Sequence, residues 1–350
     1  MPVLSVPPTL RSQGFFFRRA LPFLLCFLLL LVALCAGIAF GPVSIPPDQI
    51  FQLLIQSPAS ADLPPALHVI LWDIRLPHAL FVALVGMALA TSGAAYQGIF
   101  RNPLADPYLL GIGSGASLGA IIAISIPAFT TKLPLVPIFA FAGALLTVLL
   151  VYRGARPERG SASATRLILT GVAVGAFANA LAMFILFRAQ SDVQRAMTWL
   201  MGGFSLGGWT PIWATLPYIA IGVLTLILMG RVLNIMQFGE EQAEQSGLHV
   251  VRARWVLIAA ASLTTAAGVA FGGVIGFIGL AVPHLVRLIW GTDYRRLVPL
   301  SALFGAVVLL VADLLARTIV APQELPVGVV TALCGAPFFF YLLRKNGAAK

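Results

Sequence analysis

Gly115-Ala116-Ser117-Leu118-Gly119 has the G-x-S-x-G spacing of a nucleophile elbow, and His284 is the histidine that could be imagined as its base. An elbow needs a strand-to-helix turn that pushes the serine outward. This serine lies in an apolar run whose glycines have a packing role of their own, so catalysis is not the expectation. His68, His78, His249 and His284 follow no ligand spacing, and there is no H-E-x-x-H. Cys26, Cys35 and Cys334 sit inside apolar runs without a CxxC pair, which leaves neither a disulfide framework nor a thiolate metal site. The lysines are Lys132, Lys345 and Lys350, and none follows a glycine-rich loop. A P-loop is therefore excluded, and any ATP hydrolysis must come from another chain.

Three features have charge where charge is expensive or concentrated. Asp313 is the one carboxylate well inside an apolar run, where an aspartate costs about 2.5–3.5 kcal/mol to insert. Arg317 follows one helical turn later, so the two can pair on one face, as a structural pair or as a proton relay. Arg75, in Trp72-Asp73-Ile74-Arg75-Leu76-Pro77-His78, and Arg317 stand at span ends, as anchors beside headgroups or as a docking site for an acidic partner. The stretch RVLNIMQFGEEQAEQSGLHVVRAR, from Arg231 to Arg254, gathers Glu240, Glu241 and Glu244 between arginine-marked borders. Gly239 breaks the preceding segment, the glutamates suit a helix N-terminus, and Gly247-Leu248 over Ala243 has the pattern of a Schellman stop. A short polar helix between two membrane spans is expected there.

The elements that hold these residues follow from composition. Hydrophobic residues make up 59% of the 350 and charged ones 10%, with a mean hydropathy of +0.97, which indicates a polytopic membrane protein. Runs long enough to cross about 30 Å of hydrocarbon fall at 20–40, 78–98, 108–126, 134–152, 166–187, 194–230, 254–272, 274–291, 297–316 and 327–343. The sixth is broken by Gly202-Gly203, Gly207-Gly208 and Pro211, which predicts a half-helix or entry turn over 194–209. Arg18-Arg19 precede the first run, which is too long for a signal-peptide core and counts as a span.

Ten spans put 17 of the 22 Lys and Arg on one side, and Arg75, Lys132, Arg188, Arg195 and Arg317 on the other. Both termini and the 231–254 stretch are thus expected in the cytoplasm. The net charge of +10 is a topology signal and not a nucleic-acid footprint. Glycine ladders at Gly111, Gly115, Gly119 and at Gly268, Gly272, Gly276 predict close helix packing. Asn179 lines a pathway or bridges helices; both readings are open.

The block IRLPHALFVALVGMALATSGAAYQGIFRNPLADPYLLGIGSGASLGA from Ile74 resembles the permease subunits of ABC importers for iron chelates, haem and cobalamin. Four further blocks agree in family order: LILTGVAVGA from Leu167, WLMGGFSLGGW from Trp199, GGVIGFIGLAVPHLVRLIWGTDYRRLVP from Gly272, and ADLLAR with ELPVGVVTALCGAP between Ala312 and Pro337. The resemblance implies an all-α, polytopic permease of about ten helices in a single transmembrane domain over 1–350. Residues 1–19 would be a cytoplasmic tail and 231–254 a cytoplasmic coupling segment.

It further implies a homodimer in lipid in a bacterial inner membrane, with two ATPase subunits on the cytoplasmic face and a periplasmic substrate-binding protein outside. The chain would be no enzyme and hold no cofactor or metal, ATP and Mg being bound by the ATPase. Carried over by position, Arg75 and Arg317 pair with glutamates of the binding protein. His78 stands where the cobalamin permease has a third arginine. Gly239, Glu240, Glu241, Ala243, Glu244, Gly247 and Leu248 match the coupling helix. Asn102 and Leu104, with Ala164 and Thr165, match the cytoplasmic gate, Ala164 replacing a hydroxyl residue. The expected cargo is an iron chelate, haem or a ferric siderophore, with cobalamin the alternative on the same scaffold and an ion-coupled transporter using Asp313 a more distant one.

Overall fold

The computed structural model describes residues 8–41, 65–126, 134–155, 164–189, 193–204 and 207–347, and every regular element among them is a helix. Lys132, Arg156, Arg159 and Lys350 of the charge argument lie outside the described residues. Helix α1 is Pro8–Ala39, α2 is Pro65–Val69, and a π-turn over Ile70–Arg75 joins α2 to α3, Leu76–Phe100. A 3-10 turn at Pro107–Leu110 leads into α4, Ile112–Ile124; α5 is Leu135–Gly154, α6 is Ala164–Arg188 and α7 is Val193–Leu200. Then follow α8, Thr210–Leu228; α9, Gly230–Met236; α10, Glu240–Gln245; α11, Val250–Gly272; α12, Ile278–Trp290; α13, Tyr294–Thr318; and α14, Val327–Gly347.

Seven helices are apolar and long enough to span a membrane, and Ile112–Ile124, Ile278–Trp290 and Val327–Tyr341 are shorter apolar helices, so seven and three give the expected ten among the described residues. The broken sixth run is the half-helix α7, a turn with Gly202 and Gly208 at positive φ, and α8 with Pro211 in its first turn. Two helix boundaries add to the expected segments. Helix α1 begins at Pro8, a residue suited to a first helical turn, so the part of the expected N-terminal tail over 8–19 is helical and continuous with the first span. Within 231–254 the two ends belong to α9 and α11, where Leu233, Met236, Ala253 and Arg254 are buried, and the solvent-facing part shrinks to about α10 and its flanks.

Helix α3 is the centre of the bundle and is buried along nearly its whole length. Its small residues admit other backbones: a Cβ on Gly86 would overlap the Gly305 carbonyl of α13, and one on Gly93 would overlap the Gly279 carbonyl of α12. In lipid such approach, and not apolar burial, holds helices together. Hydroxyls supplement it, with the Tyr96 and Ser262 hydroxyls 2.7 Å apart and Thr265 Oγ1 donating to Ser92 Oγ at 2.8 Å, both between α3 and α11.

The first glycine ladder behaves as expected at Gly115 and Gly119, which abut Gly143 and Phe139 of α5. The second does not. Gly268 meets Val85 and Ala88 at ordinary contact, and Gly276 has open space, because Gly276 lies in a non-helical return between α11 and α12. Phe271 rings against Phe81, while Gly279 lies against Gly93, so between Phe271 and Gly279 the chain descends the length of twelve residues of α3, about 18 Å. Backbone groups in and beside this return are paired inside the protein, as hydrocarbon favours. The Gly203 amide donates to the Gly272 carbonyl at 2.9 Å, and the Tyr108 hydroxyl donates to the Ile275 carbonyl at 3.0 Å and accepts from its amide at 3.2 Å.

Candidate functional site

The sequence placed Arg75, His78 and Arg317 together by resemblance alone, and the structure gathers them around the C-terminal end of α1. That end has no basic residue in its own last turn, and its last carbonyls need partners. Arg75, carried by the π-turn, donates through Nη1 to the carbonyls of Ile38 and Ala39, each at 3.0 Å. Arg317, on α13, donates through Nη2 to Gly37 at 3.2 Å and through Nη1 to Phe40 at 3.3 Å. Both arginines are 6% exposed. Two guanidiniums thus cap in trans the negative end of a helix dipole.

Asp313 holds the second layer. Its Oδ2 accepts from Arg317 Nε at 2.9 Å, the pairing expected from the one-turn spacing, and His78 Nε2 lies 3.0 Å from both of its oxygens. The His78 ring meets Phe204 edge-on, and a cavity of about 140 Å³ opens between this triad and the loop bearing Glu324. The capping of α1 and the His78–Asp313 contact escaped the sequence reading, since both join residues far apart in the chain. The absence of a basic residue from the last turn of α1 was the signal available.

At the other end of α3 the Schellman stop is present in full. The Leu248 amide donates to the Ala243 carbonyl at 3.1 Å and the Gly247 amide to Glu244 at 2.9 Å, with Gly247 at φ 79°. Gly239 starts α10 at φ 112°, a conformation that favours glycine. Gly239 is buried, and the other six residues assigned to this element divide into two groups. Ala243 is fully buried, Leu248 packs on the core, and Glu240 is ion-paired with the buried Arg254 of α11. Glu241, Glu244 and Gly247 face outward.

The four residues expected at the gate share no side-chain hydrogen bond between the two segments among the described residues. Asn102 is exposed, and its Oδ1 accepts from the Leu104 amide at 2.9 Å, which fixes the turn after α3. Ala164 is half-buried and Thr165 exposed at the start of α6; among the described residues no hydrogen bond joins them to that turn. Ser117 Oγ donates to the Gly113 carbonyl at 2.9 Å within α4, a helical back-bond and no elbow. Asn179 is exposed on α6, so within this subunit it does not bridge helices.

The profile of the FecCD transport family matches residues 29–345. The chain belongs to that family. It is a multi-pass ABC importer permease of the FecCD type, and its relatives agree over nearly the full length. It is 40% identical to the ABC transporter permease protein YvrB of Bacillus subtilis, covering 94% of this chain and 95% of that one. It is 41% identical to the vitamin B12 import system permease protein BtuC of Escherichia coli, covering 94% and 97%. A solved structure described as a metal-chelate type ABC transporter in an inward-facing conformation superposes with a TM-score of 0.80 at 28% identity, covering 91% of this FecCD chain and 97% of that one.

Proposed function

We propose that this FecCD permease is the membrane-spanning half of an ATP-driven importer for a bulky metal chelate, working as a homodimer with alternating access. The observation that carries the reading is the division of polar machinery between the two ends of α3. The Arg75–His78–Arg317 cluster lies where α3 begins; Gln237, just before α10, donates to the Gly98 carbonyl at 3.0 Å near where it ends, about 33 Å along the helix. An acidic partner outside is drawn to the cationic end. On the cytoplasmic face two ATPase subunits, which supply ATP and Mg chemistry, bear on α10. Asn102, Leu104, Ala164 and Thr165 bound the inner mouth, and specificity resides chiefly in the binding protein.

Haem or a ferric siderophore is one cargo; cobalamin is the second reading, favoured by the 41% identity to a vitamin B12 permease. Proteoliposomes containing the chain, its ATPase and its binding protein test both. ATP-dependent uptake of radiolabelled haem or ferric siderophore, without cobalamin uptake, supports the first, and the converse supports the second. Uptake that persists without the ATPase and disappears in Asp313→Asn discards the ATP-driven reading in favour of an ion-coupled transporter.

A further inference from the structure

A cavity of about 630 Å³ touches the sites above only through Asn102 and Gln237. It lies beside the start of α10 and is lined by Gln97, Arg101, Asn102, Asn234, Gln237 and Arg287, with Asp293 and Tyr294 at one side. Its charge is predominantly positive. Asp293 is already engaged, capping α13 through the Arg295 amide at 3.0 Å and accepting from Asn234 Nδ2 at 2.6 Å. Arg287 donates through Nη2 to Gln97 Oε1 at 3.0 Å and to the Tyr294 hydroxyl at 3.4 Å, while its Nη1, shut away from solvent, has no hydrogen-bond partner among the described residues.

Arg101 supplies an independent argument. It ends α3 in the left-handed conformation, φ 49° and ψ 37°, which glycine or asparagine holds with less strain than arginine. A strained arginine at a position that suits glycine points to a use for its side chain. That side chain is exposed at the cavity and reaches over the first turn of α10, its Nη1 3.6 Å from where a Cβ on Gly239 would stand. Phe238 and Gln237 line the cavity and run directly into α10, so a basic hollow adjoins a ridge bearing the outward Glu241 and Glu244.

We propose that this cavity is a socket for an acidic side chain of the ATPase partner, received beside Arg101 and above Arg287 while Glu241 and Glu244 meet cations of the same partner. Paired opposite charges would fix the orientation in which that partner seats on α10. The proposal rests on the permease reading above. Its volume suits a protein side chain with attendant water better than one small ion.

The test uses the full chain in nanodiscs with its ATPase subunit. Arg101→Gly removes the guanidinium and relieves the backbone strain, so the melting temperature should hold or rise while ATPase association weakens roughly tenfold or more and loses part of its salt dependence. Arg101→Lys should retain an intermediate affinity, and Arg101→Glu should assemble worst. Inorganic phosphate and phosphatidylglycerol nanodiscs serve as competing anion sources. If Arg101→Gly abolishes phosphate or lipid binding at the cavity but leaves ATPase association and its salt dependence unchanged, the socket proposal is overturned. Unchanged association with no anion effect overturns it equally. A wild-type chain that does not assemble with the ATPase counts against the permease reading itself, whereas normal wild-type assembly with an indifferent Arg101→Gly removes only the socket.

Discussion

Arg75 donates to the Ile38 carbonyl at 3.0 Å, so a cation on the way into the central helix closes the end of the first one. The docking role proposed for Arg75 and this capping role make different demands. Arg75→Ala leaves the Ile38 and Ala39 carbonyls without this donor in a place where water is scarce, a loss of about 1–3 kcal/mol. The expected result is a lower melting temperature in detergent, with Arg75→Lys partly restoring it. If Arg75→Ala melts like wild type yet loses the binding protein, the cap contributes nothing and docking alone explains the residue.

Asp313 compensates Arg317 and holds His78 at 3.0 Å, so its neutralisation tests structure against proton carriage. Removing one member of a buried pair strands the other. Asp313→Asn should lower stability by up to about 3 kcal/mol while ATP-driven uptake per folded molecule continues. A double-mutant cycle of Asp313→Asn with His78→Ala should show non-additive stabilities. Additive losses would mean that the His78 contact has no energetic weight.

The glutamates of α10 should separate by direction. Glu241 and Glu244 face outward, so the Glu241→Ala/Glu244→Ala variant should keep its melting temperature and lose coupling between ATP hydrolysis and transport. Glu240→Ala should instead destabilise the α10–α11 junction, because it leaves Arg254, 4% exposed, without this carboxylate. Hydrogen exchange across 239–254 beside ATPase-coupled uptake distinguishes the two. Equal uncoupling by both variants, without a change in exchange, would put all three glutamates on the partner-facing side.

The legibility of this molecule follows the range of its interactions. The spans could be read because hydrocarbon demands long apolar runs, and the end of α10 because a Schellman stop is written in consecutive residues, Ala243 to Leu248. The Asp313–Arg317 pair is one helical turn long and was equally visible. The capping of α1 was not, since Arg75 and Arg317 reach it across 36 or more positions. The second glycine ladder misled because equal spacing carries no information about whether the helix continues. At Gly273 the chain leaves the helix with φ 67°, and close packing passes to Gly86 and Gly93. The cavity beside α10 was hidden because it is assembled from residues far apart in the chain, Gln97 of α3, Gln237 in the turn after α9 and Arg287 of α12.

Asp293 gives the acid behaviour of the same region. Burial alone would raise its carboxyl, but Asn234 Nδ2 at 2.6 Å, the Arg295 amide at 3.0 Å and the charges of Arg295 and Arg296 together hold it below the ordinary aspartate value. A carboxyl depressed in the folded chain adds stability that is fully present above its unfolded value, about 3.9, and is lost as pH falls through the folded one. The joint between α9 and α13 should therefore loosen only in strong acid. Asp293→Asn keeps a capping oxygen and removes the titration, so its melting temperature should fall less steeply than wild type below about pH 4. Asp293→Ala also loses the cap and should cost about 0.5–2 kcal/mol at neutral pH. Identical acid profiles for wild type and Asp293→Asn would assign the acid sensitivity to other carboxylates.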